Sequence, residues 1–135
     1  MAQQRNNGWR PGRQPSDPAR IVALDVLAAV RENDAYANLV LPREIRRARL
    51  DSQDAAYATN LCYGTLRLQG RWDAIIARCT EGRAIEDIDP EILDILRLGV
   101  HQLVEFRTPP HAAIFEMVTI TRNELSQNRG GFVNA

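Results

Sequence analysis

The chain has 135 residues, of which 44% are hydrophobic, and its 17 basic residues balance its 17 acidic residues. A chain of this length suits one domain and can bury about two thirds of its unfolded surface. No run of about 18 apolar residues is present, so we expect no membrane span. The two cysteines, Cys62 and Cys79, form no C-x-x-C pair, which argues against a disulfide framework or zinc site and favours the reducing cytoplasm.

The charges cancel in number but are unevenly placed. Every basic residue is an arginine. Residues 1–20 carry four arginines and one aspartate, whereas residues 81–94 carry six acids and one arginine. The sequence therefore predicts a basic end and an acidic patch. Because residues 1–16 have almost nothing to bury, we expect a disordered arginine-containing tail, followed by a folded domain over 17–135.

Helix signals follow one another along the first half of the chain. An N-cap and a proline at residues 16–18 predict a first helix that ends near Asn33. A short second helix is expected from Leu39 to Arg49. Asp51 then caps a long third segment that reaches Cys79, where two internal glycines favour either a kink or a split into two helices.

The second half repeats these signals. Residues 81–88 are expected to form a loop, and Asp89 is expected to cap a helix that runs to about Phe106. In that helix Arg97 and His101 fall on the polar face, which predicts that they point to solvent. The last full helix follows two prolines and ends near Asn128. With no β-alternating run, the sequence predicts an all-α bundle of six or seven helices.

The sequence offers few groups that could converge on chemistry. Both cysteines fit buried structural positions better than reactive ones. His101 is expected at the surface, and His111 is expected to cap or orient a helix start. The acids of residues 81–94 lack the spacing of a calcium loop and are read as a solvated loop. We therefore assign no catalytic residue, metal ligand or cofactor-binding residue within this chain.

The arginines carry the main functional signal. Three of them lie on one side of the short second helix, and others lie in the tail and at the start of the first helix. Arginine makes bidentate contacts with phosphate and stacks on unpaired bases. The alternative is a solvated basic face that pairs with the protein's own acids. The candidates for RNA-backbone contact are Arg5, Arg10, Arg13, Arg20, Arg43, Arg46 and Arg47.

Four further polar residues share one angular position on the long third segment. They form a border beside its apolar stripe that could face either solvent or a neighbouring domain. They are Asn60, Arg67, Arg71 and Arg78.

Several motifs occur in an order that is specific as a set. They are AYANLVLP at 35–42, DAAYATNLCYGTLR at 54–67, QGRWD at 69–73, DP at 89–90, LRLGVHQL at 96–103, PHAA at 110–113 and GFVNA at 131–135. Together they closely resemble the N-terminal NusB-like domain of the bacterial 16S rRNA cytosine-5 methyltransferase (RsmB, Sun/Fmu) family, over about residues 18–135.

The resemblance implies an all-helical, NusB-type RNA-binding fold. It also implies that in the family this domain precedes a Rossmann-like domain that binds S-adenosylmethionine and uses two cysteines to methylate cytosine C5. Neither the cofactor site nor those cysteines can be matched to residues of this sequence. Because the GFVNA motif continues into a further helix in the family, we expect the chain to be a fragment whose last helix is truncated.

Three hypotheses remain open at this point. The first is an RNA-binding accessory domain that positions 16S rRNA for its own C-terminal catalytic domain and is inactive by itself. The second is a protein-interaction module with a ribosomal or transcription-factor partner, as in transcription antitermination. The third is a structural domain that docks on its catalytic domain and touches no RNA.

Overall fold

The computed structural model describes residues 15–125 and 132–134, and within them the chain is helical with no strand. The prediction of an all-α bundle is confirmed. The helices are α1 (Pro18–Asn33), α2 (Ala37–Ala48), α3 (Ser52–Arg67), α4 (Gln69–Cys79), α5 (Pro90–Val104) and α6 (Pro110–Glu124), with a 3₁₀ turn at Ile85–Asp87. Residues 132–134 are also helical, as the sequence predicts for the start of a further helix.

Helix starts follow the predicted capping chemistry in two of three places. The side chains of Asp17 and Asp51 each accept a hydrogen bond from the backbone N–H three residues further on, at 3.4 and 2.8 Å. Asp89 is the N-cap residue of α5 and Pro90 follows it in the first turn, as predicted. The side chain of Asp89 makes no capping hydrogen bond, so the preset backbone of Pro90 contributes more to this helix start.

The long third segment is split into two helices. Leu68 has φ −104° and ψ 17° and belongs to neither α3 nor α4. Its N–H donates to the carbonyl of Gly64 at 3.1 Å, and its own carbonyl accepts from Trp72 at 3.0 Å. The chain thus turns at Leu68 without losing its hydrogen bonding. Other boundaries shift slightly, since α2 begins at Ala37 and α6 ends at Glu124.

The main hydrophobic core joins α1, α2, α3, α5 and α6 around the most deeply buried face of α1. A smaller cluster lies between α4, the 3₁₀ turn and α5, and it consists of Ile76, Ile88, Ile92 and Leu93. Val133 packs against both clusters. Helix α5 therefore has neighbours on most of its sides, which buries its polar residues Asp94, Arg97, His101 and Gln102.

A buried charge network ties three helices together. Asp94 is only 2% exposed and accepts hydrogen bonds from Arg31 of α1 at 3.0 Å and from Arg97 at 3.4 Å. Arg97 also donates to both carboxylate oxygens of Asp73 in α4, at 2.7 and 2.8 Å. Burial raises the pKa of Asp94, while the two arginines oppose that rise. The prediction that Arg97 points to solvent is wrong, because Asp73 of α4 and Asp94 of α5 bind its guanidinium group within the fold.

His101 is also buried rather than exposed. It is 3% exposed and lies against Gly64, where α3 and α5 cross. A Cβ atom on Gly64 would lie 2.5 Å from Cε1 of His101, so only glycine allows this approach. The prediction of a surface histidine is wrong, since the helix face that looked polar in sequence is covered by α3.

Replacing Gly64 with alanine should therefore destabilise the fold. The imidazole cannot move aside, because the rings of Trp72 and Phe106 pack edge-on against it. The overpacking penalty should outweigh the gain in helix propensity and lower the free energy of unfolding by about 2 kcal/mol. Urea denaturation measures this difference.

Gly70→Ala is the matched control, since a Cβ atom at that helical position meets nothing within 4 Å. It should leave the free energy of unfolding unchanged or raise it by up to about 1 kcal/mol. Equal stability of Gly64→Ala and the parent chain would contradict the close crossing.

Candidate nucleic-acid interface

The arginines of α2 form an exposed basic face. Their spacing of three and four residues places them on the outside of the helix, while Val40 and Leu41 face the core. The side chains of Arg43 and Arg47 are 60% and 54% exposed, and Arg46 is exposed as well. The structure thus brings these three predicted residues together on one surface.

Glu44 anchors part of this face. Its side chain is largely buried and lies 3.7 Å from Nε of Arg43 and 3.2 Å from Nη1 of Arg47. One carboxylate against two exposed guanidinium groups leaves most of their donors directed to solvent. The face can therefore present fixed positive charge to an anionic ligand.

Arg20 has a different environment from the α2 arginines. Its Nε donates to Gln102 at 2.8 Å, its Nη1 donates to Asp17 at 2.8 Å, and its guanidinium lies 5.1 Å from the centre of the Tyr57 ring. These contacts fix the start of α1 on α3 and α5. Arg20 can offer its remaining donors to RNA, and its role as an RNA contact stays a prediction. The tail arginines Arg5, Arg10 and Arg13 lie outside the described residues.

The connection between α1 and α2 is short. Only residues 34–36 separate the two helices, and both pack their apolar faces into the same core. The two helices therefore pack directly against each other.

A cleft opens between α3 and α5, and we call it the α3–α5 cleft. It has a volume of ≈ 320 Å³. Its lining residues are Asn60, Tyr63, Gly64, Arg67, His101, Glu105 and Phe106. Tyr63 is 39% exposed at the wall, and Arg67 is exposed and has no ion pair within the part of the chain that the structure describes. Two members of the polar border predicted from sequence thus face an open cleft.

Arg71 stands at the edge of this cleft. Its Nη1 lies 3.7 Å from a carboxylate oxygen of Glu105, and its guanidinium lies 5.5 Å from the centre of the Trp72 ring. Arg78, the fourth member of the border, is exposed further along α4 and does not line the cleft. Sequence reasoning aligned these residues on one helix face but missed Tyr63, Glu105 and Phe106, which complete the cleft.

An aromatic chain connects the cleft to the start of α1. Tyr57 packs edge-on against Phe106 at 5.5 Å, and Phe106 packs against His101 at 4.9 Å. His101 in turn packs against Trp72 at 5.5 Å. Since Arg20 lies over Tyr57, this series of ring contacts runs from the cleft to the start of α1.

The pKa of His101 is lowered, chiefly because burial disfavours the imidazolium. Glu105 opposes this effect and Arg67 adds to it. The ring is therefore neutral at neutral pH. Its Nδ1 is buried and lacks a hydrogen-bond partner among the described residues.

The thiol and acidic groups of the described residues are dispersed. Cys62 is buried, and burial raises the pKa of its thiol to about 12, which suits a structural residue. Cys79 is exposed, so the prediction of a buried position is wrong for it. Across residues 15–125 and 132–134, no three histidines, cysteines or acids are grouped as a metal site would require. Most acids of residues 81–94 are exposed as predicted, but Asp94 is buried.

No helix in the described part of the chain combines the length and apolarity that crossing a bilayer requires.

Comparison with known proteins identifies the class of protein that this fold defines. The model of the NusB family matches residues 17–135, and the chain belongs to that family. The resemblance noted in the sequence is thereby confirmed.

The relatives by sequence include methyltransferases that are much longer than this chain. A putative methyltransferase of Mycobacterium tuberculosis is 47% identical over 124 residues, which are 92% of this chain and 27% of that protein. The ribosomal RNA small subunit methyltransferase B of Thermus thermophilus is 34% identical over 116 residues, 86% of this chain and 28% of that protein. The chain thus spans about a quarter of the length of these relatives.

NusB proteins themselves are also similar. The transcription antitermination protein NusB of Frankia casuarinae is 35% identical over 95 residues, which cover 67% of this chain and 70% of that protein. A crystal structure of the antitermination factors NusB and NusE with double-stranded RNA matches with a TM-score of 0.79 at 21% identity, over 87% of this chain and 88% of the matched chain. The solution structure of NusB from Aquifex aeolicus matches with a TM-score of 0.72 at 24% identity, over 86% and 80% of the two chains. These likenesses establish the NusB fold.

The burial of His101 predicts a shifted titration. In a His111→Gln variant the remaining imidazole should titrate with a midpoint below 6.5, the ordinary histidine value. Because the unfolded chain takes up this proton at higher pH than the folded chain, His101 should reduce stability as the pH falls below 6.5. Proton NMR of the imidazole C–H signals measures the midpoint, and a value at or above 6.5 would show that the ring is solvated.

Proposed function

We propose that this chain is an RNA-binding domain that serves a methyltransferase acting on small-subunit ribosomal RNA. The observation that carries the proposal is the exposed face of Arg43, Arg46 and Arg47. The single carboxylate of Glu44 pairs with Arg43 and Arg47, which leaves the face with a net positive charge. Membership of the NusB family and the similarity to ribosomal RNA small subunit methyltransferases B support the choice of ligand.

The α2 face suits a phosphate backbone in both charge and shape. Each guanidinium presents several N–H donors in a plane, which matches the oxygens of a phosphate group. The arginines follow one another along the outside of a rigid helix, so successive phosphates of one strand can be contacted together. Arg20 and the tail arginines would extend these contacts past the start of α1.

Methyl transfer would be the task of a different part of the assembly. We propose that a catalytic domain that uses S-adenosylmethionine, corresponding to the remaining three quarters of the relatives, modifies cytosine C5 of 16S rRNA in the cytoplasm. The residues described here do not fit that cofactor, since they form no strand that could carry a glycine-rich loop. Cys62, with its raised pKa, is no candidate nucleophile. The contribution of this chain is to bind and position RNA.

A protein contact is the second candidate function. Leu103, Val104, Ile114 and Phe115 are exposed near the turn between α5 and α6, and large apolar side chains at a surface favour a protein partner. That partner would be either the catalytic domain or a ribosomal protein, as in the solved NusB complex that contains NusE. Association that survives nuclease treatment distinguishes this function from RNA binding.

The RNA-binding proposal is tested by the salt dependence of affinity for a 16S rRNA fragment. Each phosphate contact contributes about −0.7 to the slope of log K against log salt for a single strand. The Arg43→Gln/Arg46→Gln/Arg47→Gln variant should bind more weakly and reduce the size of that slope by about 2. Fluorescence anisotropy at several salt concentrations measures both quantities.

The control variant is Arg78→Gln/Arg83→Gln, which removes exposed arginines from α4 and the loop that follows it. Per charge removed, it should change the slope much less than the α2 variant does. Affinity that does not fall with salt, or equal effects of the two variants per charge, would overturn the proposal.

A further inference from the structure

We propose that the α3–α5 cleft receives an unpaired nucleobase of the bound RNA, which stacks on Tyr63. This inference rests on the proposed function, because RNA must first be held by its phosphates. It goes further in assigning a base-binding site to residues that lie outside the arginine face of α2.

The wall of the cleft provides a stacking surface. Tyr63 leaves 39% of its surface exposed, and Phe106 stands within the same cleft. Unpaired bases stack on aromatic side chains, and the cleft volume of ≈ 320 Å³ is within the range of small-ligand sites.

Polar groups around the opening match the edges of a base and its phosphate. Asn60 is exposed beside Tyr63 and offers both a donor and an acceptor through its amide. Arg67, which has no ion pair among the described residues, and Arg71 supply positive charge against the single carboxylate of Glu105. A nucleotide fits these groups, because it joins a neutral aromatic base to an anionic phosphate.

The floor of the cleft is rigid. His101 is held between Trp72 and Phe106 and contacts Gly64, so the cavity exists before any ligand arrives. A preformed site binds with less loss of conformational entropy than one that must be ordered.

The cleft is also connected by ring contacts to the start of α1. Tyr57, one turn before Asn60 on α3, lies beside Arg20 and against Phe106. A strand that contacts the start of α1 can therefore direct a base into the cleft.

The test compares two single-stranded RNAs of about ten nucleotides, one with all its bases and one that is abasic throughout, with the full 135-residue chain. The parent chain should bind the base-containing strand about tenfold more tightly, as expected for one stacked base. Tyr63→Ala should abolish that difference, whereas Tyr63→Phe should retain it. Phe115→Ala, an exposed aromatic on α6, is the control and should also retain it.

Each outcome separates this inference from the proposed function. If both strands bind the parent chain equally and with a steep salt dependence, RNA binding stands and the base site is overturned. If neither strand binds, the proposed function fails and the base site fails with it.

Adenosine 5′-monophosphate is tested as a third ligand. Its binding is measured from changes in the NMR signals of Tyr63. Weak binding that the longer strand displaces supports a base that belongs to RNA. Saturation of the cleft by the mononucleotide without displacement by the strand would overturn that assignment in favour of a free nucleotide.

Discussion

The crossing of α3 and α5 at Gly64 is the constraint on which the rest of this structure depends. Because Gly64 has no side chain, the imidazole of His101 fits against α3, and the rings of Trp72 and Phe106 close around it. Phe106 then supports Tyr57, over which Arg20 fixes the start of α1. One missing Cβ atom therefore connects the packing of four helices. The same contact forms part of the lining of the α3–α5 cleft.

Arginine has three different roles in this chain. The net charge of zero does not reveal them. Arg97 is buried and neutralised by carboxylates of α4 and α5, which makes it part of the interior. Arg20 is partly buried and links helices. The α2 arginines are exposed and only partly paired, so they can act on a ligand. Removing one partner of a buried ion pair leaves an uncompensated charge and destabilises the fold. The buried pairs of Arg97 therefore stabilise the structure and do not contact a ligand.

Sequence patterns predicted the features that depend on residues close together along the chain. The caps at Asp17 and Asp51, the break between α3 and α4, and the apolar faces all follow from local rules. The environments of Arg97 and His101 could not be predicted in this way, since a helical wheel shows which residues share a face but not which helix covers that face. The cleft shows the same limit: the alignment of Asn60 and Arg67 was visible, whereas Glu105 and Phe106 come from a distant segment. The tail arginines stay predictions.

We propose that this NusB-family domain binds RNA through the α2 arginines and the α3–α5 cleft, while the acidic segment that leads into α5 takes no part. Amide chemical-shift mapping by NMR with a single-stranded fragment of 16S rRNA tests both parts of this proposal at once. We expect the largest shifts to cluster in residues 43–49 and 60–67 and around Phe106, and to diminish with added salt. Shifts confined to residues 85–91, or an unchanged spectrum at saturating RNA, would contradict it.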